Sequence, residues 1–249
     1  MNPKTSVVIL AAGKGTRMRS ELPKVLHPVA QKPMLLHAIE AAQKIDPAQI
    51  VVVVGYGAGQ VQDAIDDDVD FVLQQPQLGT GHAAQLALQK IRDDAGDLIV
   101  SYGDMPLLTA DIFRDLRAAR RRHQVSAVVL TTTMDPPPAF GRIVRDAAGQ
   151  LLSIVEDKDC SPAQKAITEV NVAVYCFALG PLKRALARLR NNNAQNEYYL
   201  TDVIALLRQD GERVEAMHSD DVEACIGVND LDDLARVEQI MARRTRHKH

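Results

Sequence analysis

Ser6-Val7-Val8-Ile9-Leu10-Ala11-Ala12-Gly13-Lys14-Gly15-Thr16-Arg17-Met18 joins an apolar, β-branched run to a turn of small residues and then to basic side chains. The run at 6–10 lacks polar alternation, the pattern of a strand buried on both faces. Small residues after it let the backbone pass close to a ligand, and Gly13 and Gly15 tolerate dihedrals that expose their N–H groups. Such groups cradle phosphate oxygens, and Arg17 and the later Lys24 add charge. The carboxyl end of a strand in an open α/β sheet is also the usual ligand position. A tight strand-to-helix turn with solvated basic side chains would show the same residues, so the loop alone leaves both readings open. Two other nucleotide motifs do not fit. A P-loop needs an earlier glycine at the GxxxxGK[ST] spacing, and the dinucleotide fingerprint needs glycine where Met18 stands.

The same grammar continues along the chain. Short apolar runs at 50–54, 71–73, 98–101 and 127–131 predict four further strands, and helical periodicity at 34–44, 81–91 and 112–123 falls between them. This alternation predicts a doubly wound α/β sheet with helices on both faces. The rhythm changes after Thr133, where Pro136-Pro137-Pro138 marks a connection. Strands are then expected at 141–145, 151–155, 170–177 and 213–217, and helices at 182–190, 200–208 and 231–244. The expected layout is one mixed, mostly parallel sheet, with a smaller β region beyond Thr133 closing a shared cleft.

Composition narrows the class. With 249 residues, 46% hydrophobic and 24% charged, the chain has the make-up of a soluble globular domain. A net charge of -3 gives no global attraction to nucleic acid or anionic lipid, so an anionic ligand needs local basic groups. Cys160, Cys176 and Cys225 are scattered and odd in number, which argues against a zinc site or a disulfide framework. The start lacks a basic stretch followed by a long apolar core, so neither signal peptide nor membrane span is expected there and the expected location is the cytoplasm.

Three further segments carry chemistry. In Gln74-Gln75-Pro76-Gln77-Leu78-Gly79-Thr80-Gly81-His82, an amide with both donor and acceptor suits a pyrimidine edge. Thr80 could equally be a helix cap, and His82 reads as a structural side chain of the first turn. In Leu98-Ile99-Val100-Ser101-Tyr102-Gly103-Asp104-Met105-Pro106, an apolar strand delivers Asp104 to its carboxyl edge. Magnesium often takes only one or two protein oxygens, so a single strand-end carboxylate can anchor it; a turn-capping carboxylate is the plain alternative.

The first loop, with Leu22-Pro23-Lys24-Val25-Leu26 after it, resembles the signature of sugar-nucleotide pyrophosphorylases, and most closely the uridylyltransferase domain of bacterial N-acetylglucosamine-1-phosphate uridylyltransferases. The resemblance recurs in order from about residue 7 to about residue 237. It implies a Rossmann-like nucleotidyltransferase fold and nucleotide contacts from Leu10, Ala11, Ala12, Gly13, Gln74, Gly79 and Thr80. It implies Arg17 and Lys24 as the catalytic cations. Magnesium would sit on Asp104 and Asn229, residues 125 positions apart (229 minus 104). Phe140-Gly141-Arg142-Ile143, Ile154-Val155-Glu156, Glu169-Val170-Asn171 and Asn196-Glu197-Tyr198-Tyr199-Leu200-Thr201-Asp202 resemble the family's sugar-side blocks. They imply sugar contacts from Gly141, Glu156, Asn171 and Thr201, joined by Tyr102, Gly103 and Asn229. Taken singly, these side chains could be a solvated charge run, a bulge residue and core aromatics.

Ala139, Phe140, Ala173 and Asp230 depart from the family pattern, which has Gly, Tyr, Gly and Asn there. Methyls added beside a sugar pocket can reject a bulky substituent by ~1–3 kcal/mol. The departures therefore bear on the sugar, and the nucleotide half is untouched. The implied reaction joins UTP and N-acetylglucosamine-1-phosphate to give UDP-N-acetylglucosamine and pyrophosphate, a step of cell-wall precursor supply. Another sugar-1-phosphate or NTP, such as glucose-1-phosphate, and a non-catalytic nucleotide-sugar sensor are the alternatives. The resemblance further implies one domain, with a nucleotide half at 1–133, a sugar half at 134–230 and a C-terminal helix at 231–249. No hexapeptide repeat of a β-helix acetyltransferase is present, so no acetyl transfer and only a monomer or weak homo-oligomer are expected. Neither nucleic acid nor membrane is an expected partner.

Overall fold

The computed structural model describes residues 4–92 and 96–246. In chain order the elements are β1 (Thr5–Ala11), a hairpin of β2 (Pro28–Val29) and β3 (Lys32–Pro33), α1 (Met34–Gln43), β4 (Gln49–Val54), α2 (Ala58–Ala64), β5 (Asp70–Leu73) and α3 (Thr80–Leu88). There follow β6 (Asp97–Tyr102), α4 (Ala110–His123), β7 (Ala127–Thr133), β8 (Arg142–Arg145), β9 (Leu151–Val155), α5 (Pro162–Lys165) and β10 (Glu169–Ala178). The last are α6 (Leu179–Leu186), α7 (Asp202–Gln209), β11 (Val214–His218) and α8 (Leu231–Arg246).

Nine strands form one sheet, ordered β11-β7-β10-β6-β1-β4-β5, with β8 and β9 added as an antiparallel arm beside β10. β6, β1, β4 and β5 are mutually parallel, and β10 runs antiparallel to both β6 and β7. This is the expected mixed, mostly parallel α/β sheet. Its core follows from strand periodicity, because alternate side chains leave opposite faces. Val7 and Ile9 join α1 and α4 through Leu35, Ile39, Phe113 and Leu116, all fully buried. Val8 and Leu10 join α3, α6 and α7 on the other face through Ala84, Leu182, Ile204 and Leu207. Two covered faces explain why these strands read as unbroken apolar runs.

The chain leaves β1 toward β4 and β5, then returns across β1 to place β6 on its other side. That reversal opens a crevice at the carboxyl ends of β1 and β6, the topological switch point where open α/β sheets take ligands. The elements missed from the sequence are short: the β2–β3 hairpin, α2 and the four-residue α5. Helix α6 also starts three residues earlier than its periodicity suggested, because Pro181 lies in the first turn, where its missing N–H is no loss.

Candidate active site

Two cavities open at the switch point and share a wall. The first, about 350 Å³, is lined by Leu10, Ala11, Ala12 and Gly13 after β1, by Lys14 and Lys24, and by Gln74, Gly79 and Thr80 before α3. Gly15 has φ +60°, and a Cβ there would lie 2.5 Å from the Lys24 Cβ, so glycine lets the loop fold over the lysine stem. Gly79 has φ +105°, and a Cβ would lie 2.6 Å from the Tyr198 carbonyl oxygen. Close approach is needed there because the 198 segment pairs across it: Tyr198 N–H donates to Leu78 (2.8 Å) and Gly81 N–H to Tyr198 (2.7 Å). Gln74 is buried, and its Nε2 donates to the Gly79 carbonyl (2.8 Å) and meets His82 Nδ1 at 3.3 Å. Its Oε1 is thereby left to accept from a ligand. Thr80 is not the cap weighed from the sequence. Gly79 holds that position, and Thr80 Oγ1 accepts instead from Leu200 N–H (3.0 Å).

Asp104 and Asn229 meet across the molecule. Val228 N–H donates to the Asp104 carbonyl (2.9 Å), and both side chains line the second cavity, about 290 Å³. Each carries a cation from the first loop. Lys24 Nζ pairs with Asp104 Oδ2, both mostly buried, and Arg17 Nη2 donates to Asn229 Oδ1 (3.1 Å). Two hard oxygens that already draw positive charge suit magnesium, which completes its shell with water and phosphate. Among the described residues no group of three or more His, Cys, Asp or Glu is placed to hold a metal, so a site built from one carboxylate and one amide fits better than a full protein cage.

The second cavity also takes in Thr80, Tyr102, Gly141, Glu156, Asn171, Ala173 and Glu197. Thr80, Tyr102, Asp104 and Glu197 form the wall common to both cavities. The arm of β8 and β9 brings Gly141 and Glu156 together, and buried Arg142 ties them by bonding the Phe140 carbonyl and Asp157 Oδ1 (3.1 Å). Burial, chiefly, lifts the Glu156 carboxyl above its ordinary range, with Asp202, Asp159 and Glu197 adding to the shift and the Thr201 hydrogen bond opposing it. Burial likewise raises the Tyr102 phenol, with Glu156 and Asp104 adding to it, so it stays protonated.

Two expected sugar contacts sit behind the wall. Thr201 is 4% exposed and gives its hydroxyl hydrogen to Glu156 Oε1 (2.9 Å), so it orients the carboxylate rather than facing the cavity. Gly103 is packed from behind: a Cβ would meet Leu35 Cδ1 at 3.0 Å, with Ala11 and Val25 side chains at 3.3 Å. Its N–H donates to Leu10, which holds the two crevice strands in register.

The family model for the MobA-like NTP transferase domain matches residues 7–170, about two thirds of the chain. The chain belongs to the MobA-like NTP transferase family. It is also similar to proteins named bifunctional protein GlmU. That of Brevibacillus brevis is 44% identical over 246 residues, 99% of this chain and 53% of the relative. That of Mycobacterium bovis (strain BCG / Pasteur 1173P2) is 45% identical over 98% of this chain and 51% of the relative. That of Mycobacterium sp. (strain KMS) is 46% identical over 96% and 50%. The chain thus spans about half the length of the curated relatives it matches. Two further residues line these cavities. Gln77 lines the first cavity and reaches the Ala12 carbonyl (2.5 Å), and Glu197 faces both cavities. Both stand inside motifs read from the sequence, and a second amide or a carboxylate within such a block was the available signal. Of the departures, Asp230 caps the start of α8: its Oδ1 accepts from Asp232 and Asp233 N–H (3.1 and 3.0 Å), a role that asparagine would fill as well. Among the described residues no helix is long and apolar enough to cross a membrane.

Proposed function

We propose that the chain is a cytoplasmic uridylyltransferase, forming UDP-N-acetylglucosamine and pyrophosphate from UTP and N-acetylglucosamine-1-phosphate. The observation carrying this reading is the convergence in the second cavity of Asp104, which also lines the first, with Asn229, each beside a loop cation. Membership of the NTP transferase family and the near full-length likeness to GlmU proteins support it. The first cavity, with the rest of the 1–133 half, would take the nucleotide, and the second, fed from 134–230, would take the sugar. The helix at 231–249 would close the domain, its last three residues lying outside the described ones.

In this reading a phosphate oxygen of the sugar-1-phosphate attacks the α-phosphorus in line, and pyrophosphate leaves opposite. The nucleophile is already anionic, so positioning and charge stabilisation do the work and no general base is required. Gly13 and its neighbours would hold the phosphates by backbone N–H groups, and Gln74 would read the base. Lys24 and Arg17 would leave Asp104 and Asn229 for the transferring and leaving phosphates. Bound by Asp104 and Asn229, magnesium would supply neutralising charge to the phosphate oxygens. Glu156 and Asn171, both beside Gly141 in the second cavity, would take sugar hydroxyls.

A pyrophosphate-release assay with UTP, magnesium and N-acetylglucosamine-1-phosphate tests this. Turnover is expected with that pair and lost on chelation. Preference for glucose-1-phosphate or another NTP would reassign the substrate, and no release with any pair would leave a nucleotide-sugar sensor.

A further inference from the structure

Strand β10 does not run straight past the second cavity. Its register slips between Asn171 and Tyr175, and Ala173 within the bulge has φ +64°. The bulge brings Asn171, Val172, Ala173 and Tyr175 to the cavity lining. Asn171 is 5% exposed, and its carboxamide is tied at both ends. Its Oδ1 accepts from Ala173 N–H (3.0 Å), and its Nδ2 donates to the Tyr175 hydroxyl (2.7 Å). The first bond fixes which end of the amide is oxygen, since a backbone N–H can only donate. One Nδ2 hydrogen then remains uncommitted. The tyrosine is rigid: fully buried, stacked on Phe177 with ring centroids 5.4 Å apart, and kept protonated by its burial.

We infer that Tyr175 is a positioning residue for sugar recognition: its hydroxyl locks the Asn171 carboxamide so that the free Nδ2 hydrogen meets an acceptor oxygen of the sugar, a hydroxyl or an acylamino carbonyl. This rests on the reading of Asn171 as a sugar contact. The phenol itself has no exposed surface, so it acts through the asparagine. Without the hydroxyl, the carboxamide keeps only the Ala173 bond and can swing about it, and the donor loses its aim. Neither Asn171 nor Tyr175 lines the first cavity, so the nucleotide should sense the change far less than the sugar.

The test is Tyr175→Phe, which keeps the ring and removes one oxygen. The KM for sugar-1-phosphate should rise ~3–10-fold, the loss of one neutral hydrogen bond, while the KM for UTP and the kcat stay within about twofold. Sugar-1-phosphates lacking one oxygen at a time, through deoxygenation or removal of the acyl group, identify the acceptor: for one analogue, wild type and variant should become equal. Unchanged sugar KM, or equal rises for both substrates, would overturn the inference. Should Tyr175→Phe not fold, 3-fluorotyrosine at position 175 keeps the hydroxyl and reports by fluorine NMR. Its resonance should move on adding sugar-1-phosphate with nucleotide present and not on adding nucleotide alone; a static signal overturns the idea. A wild-type chain without uridylyl transfer would refute the functional reading, and the fluorine shift would still decide this one.

Discussion

Lys24 and Glu156 carry their charges in opposite settings, one beside a counter-ion and the other raised by burial. Lys24 sits where Gly15 leaves room and Asp104 supplies charge, so its stem is already ordered before any phosphate arrives. Lys24→Ala should lower turnover by ~10²-fold or more with the fold retained, because charge on the transferring phosphate then goes unanswered. Steady-state kinetics beside circular dichroism check this; unchanged turnover would remove the role. Glu156 instead carries a carboxyl pushed upward mainly by burial. Its folded pKa exceeds its unfolded one, so the unfolded chain loses this proton first as pH rises. Stability therefore falls through that window, and the cost is complete above the folded value. Glu156→Gln should raise the melting midpoint at pH 7–8, with a gain that shrinks as pH falls through the carboxylate range, while weakening sugar binding. A gain independent of pH would contradict the assigned cause.

Elements decide how such residues are aimed. The bulge in β10 demands a left-handed residue, and Ala173 pays a Cβ penalty there. Ala173→Gly should stabilise the chain by about 1 kcal/mol in denaturant titration, partly offset by glycine's freer unfolded state. A midpoint shift the other way would mean that the alanine methyl packs usefully against the cavity floor. At the opposite end of the sheet, β6 begins with Asp97, fully buried between Arg120 and Arg121 of α4. Removing that carboxylate strands buried positive charge, so Asp97→Ala should cost ~3–5 kcal/mol. The kinetic constants of the folded fraction should not change, since Asp104 stands just past the far end of the same strand. Altered KM values would show that strain travels along β6.

The whole molecule is closed by its last helix. Val237 and Ile240 of α8 pack with Met18, Val29, Leu107 and Val228, beside both the loop of Arg17 and the segment of Asn229. Ala30 N–H donates to Glu238 (2.8 Å), fastening the β2–β3 hairpin as well. Ile240→Ala should cost ~2–4 kcal/mol by cavity formation. It should also weaken magnesium-dependent nucleotide binding measured by calorimetry; lost stability with intact binding would make α8 a support without influence on the site. The α/β alternation, the glycine loop, the strand-end Asp104 and the order of the motifs were all legible in the chain, because strand burial and motif spacing are local properties that sequence records directly. That Thr201 and Gly103 stand behind the cavity wall was not legible, because a hydroxyl or a glycine in a motif looks the same whether it faces a cavity or backs its wall. The antiparallel course of β10, the bulge at Ala173, the shared wall and the meeting of Asp104 with Asn229 were decided only by the tertiary structure, since each depends on which strands pair and what packs behind them, and pairing between segments distant in the chain leaves no periodic trace in either.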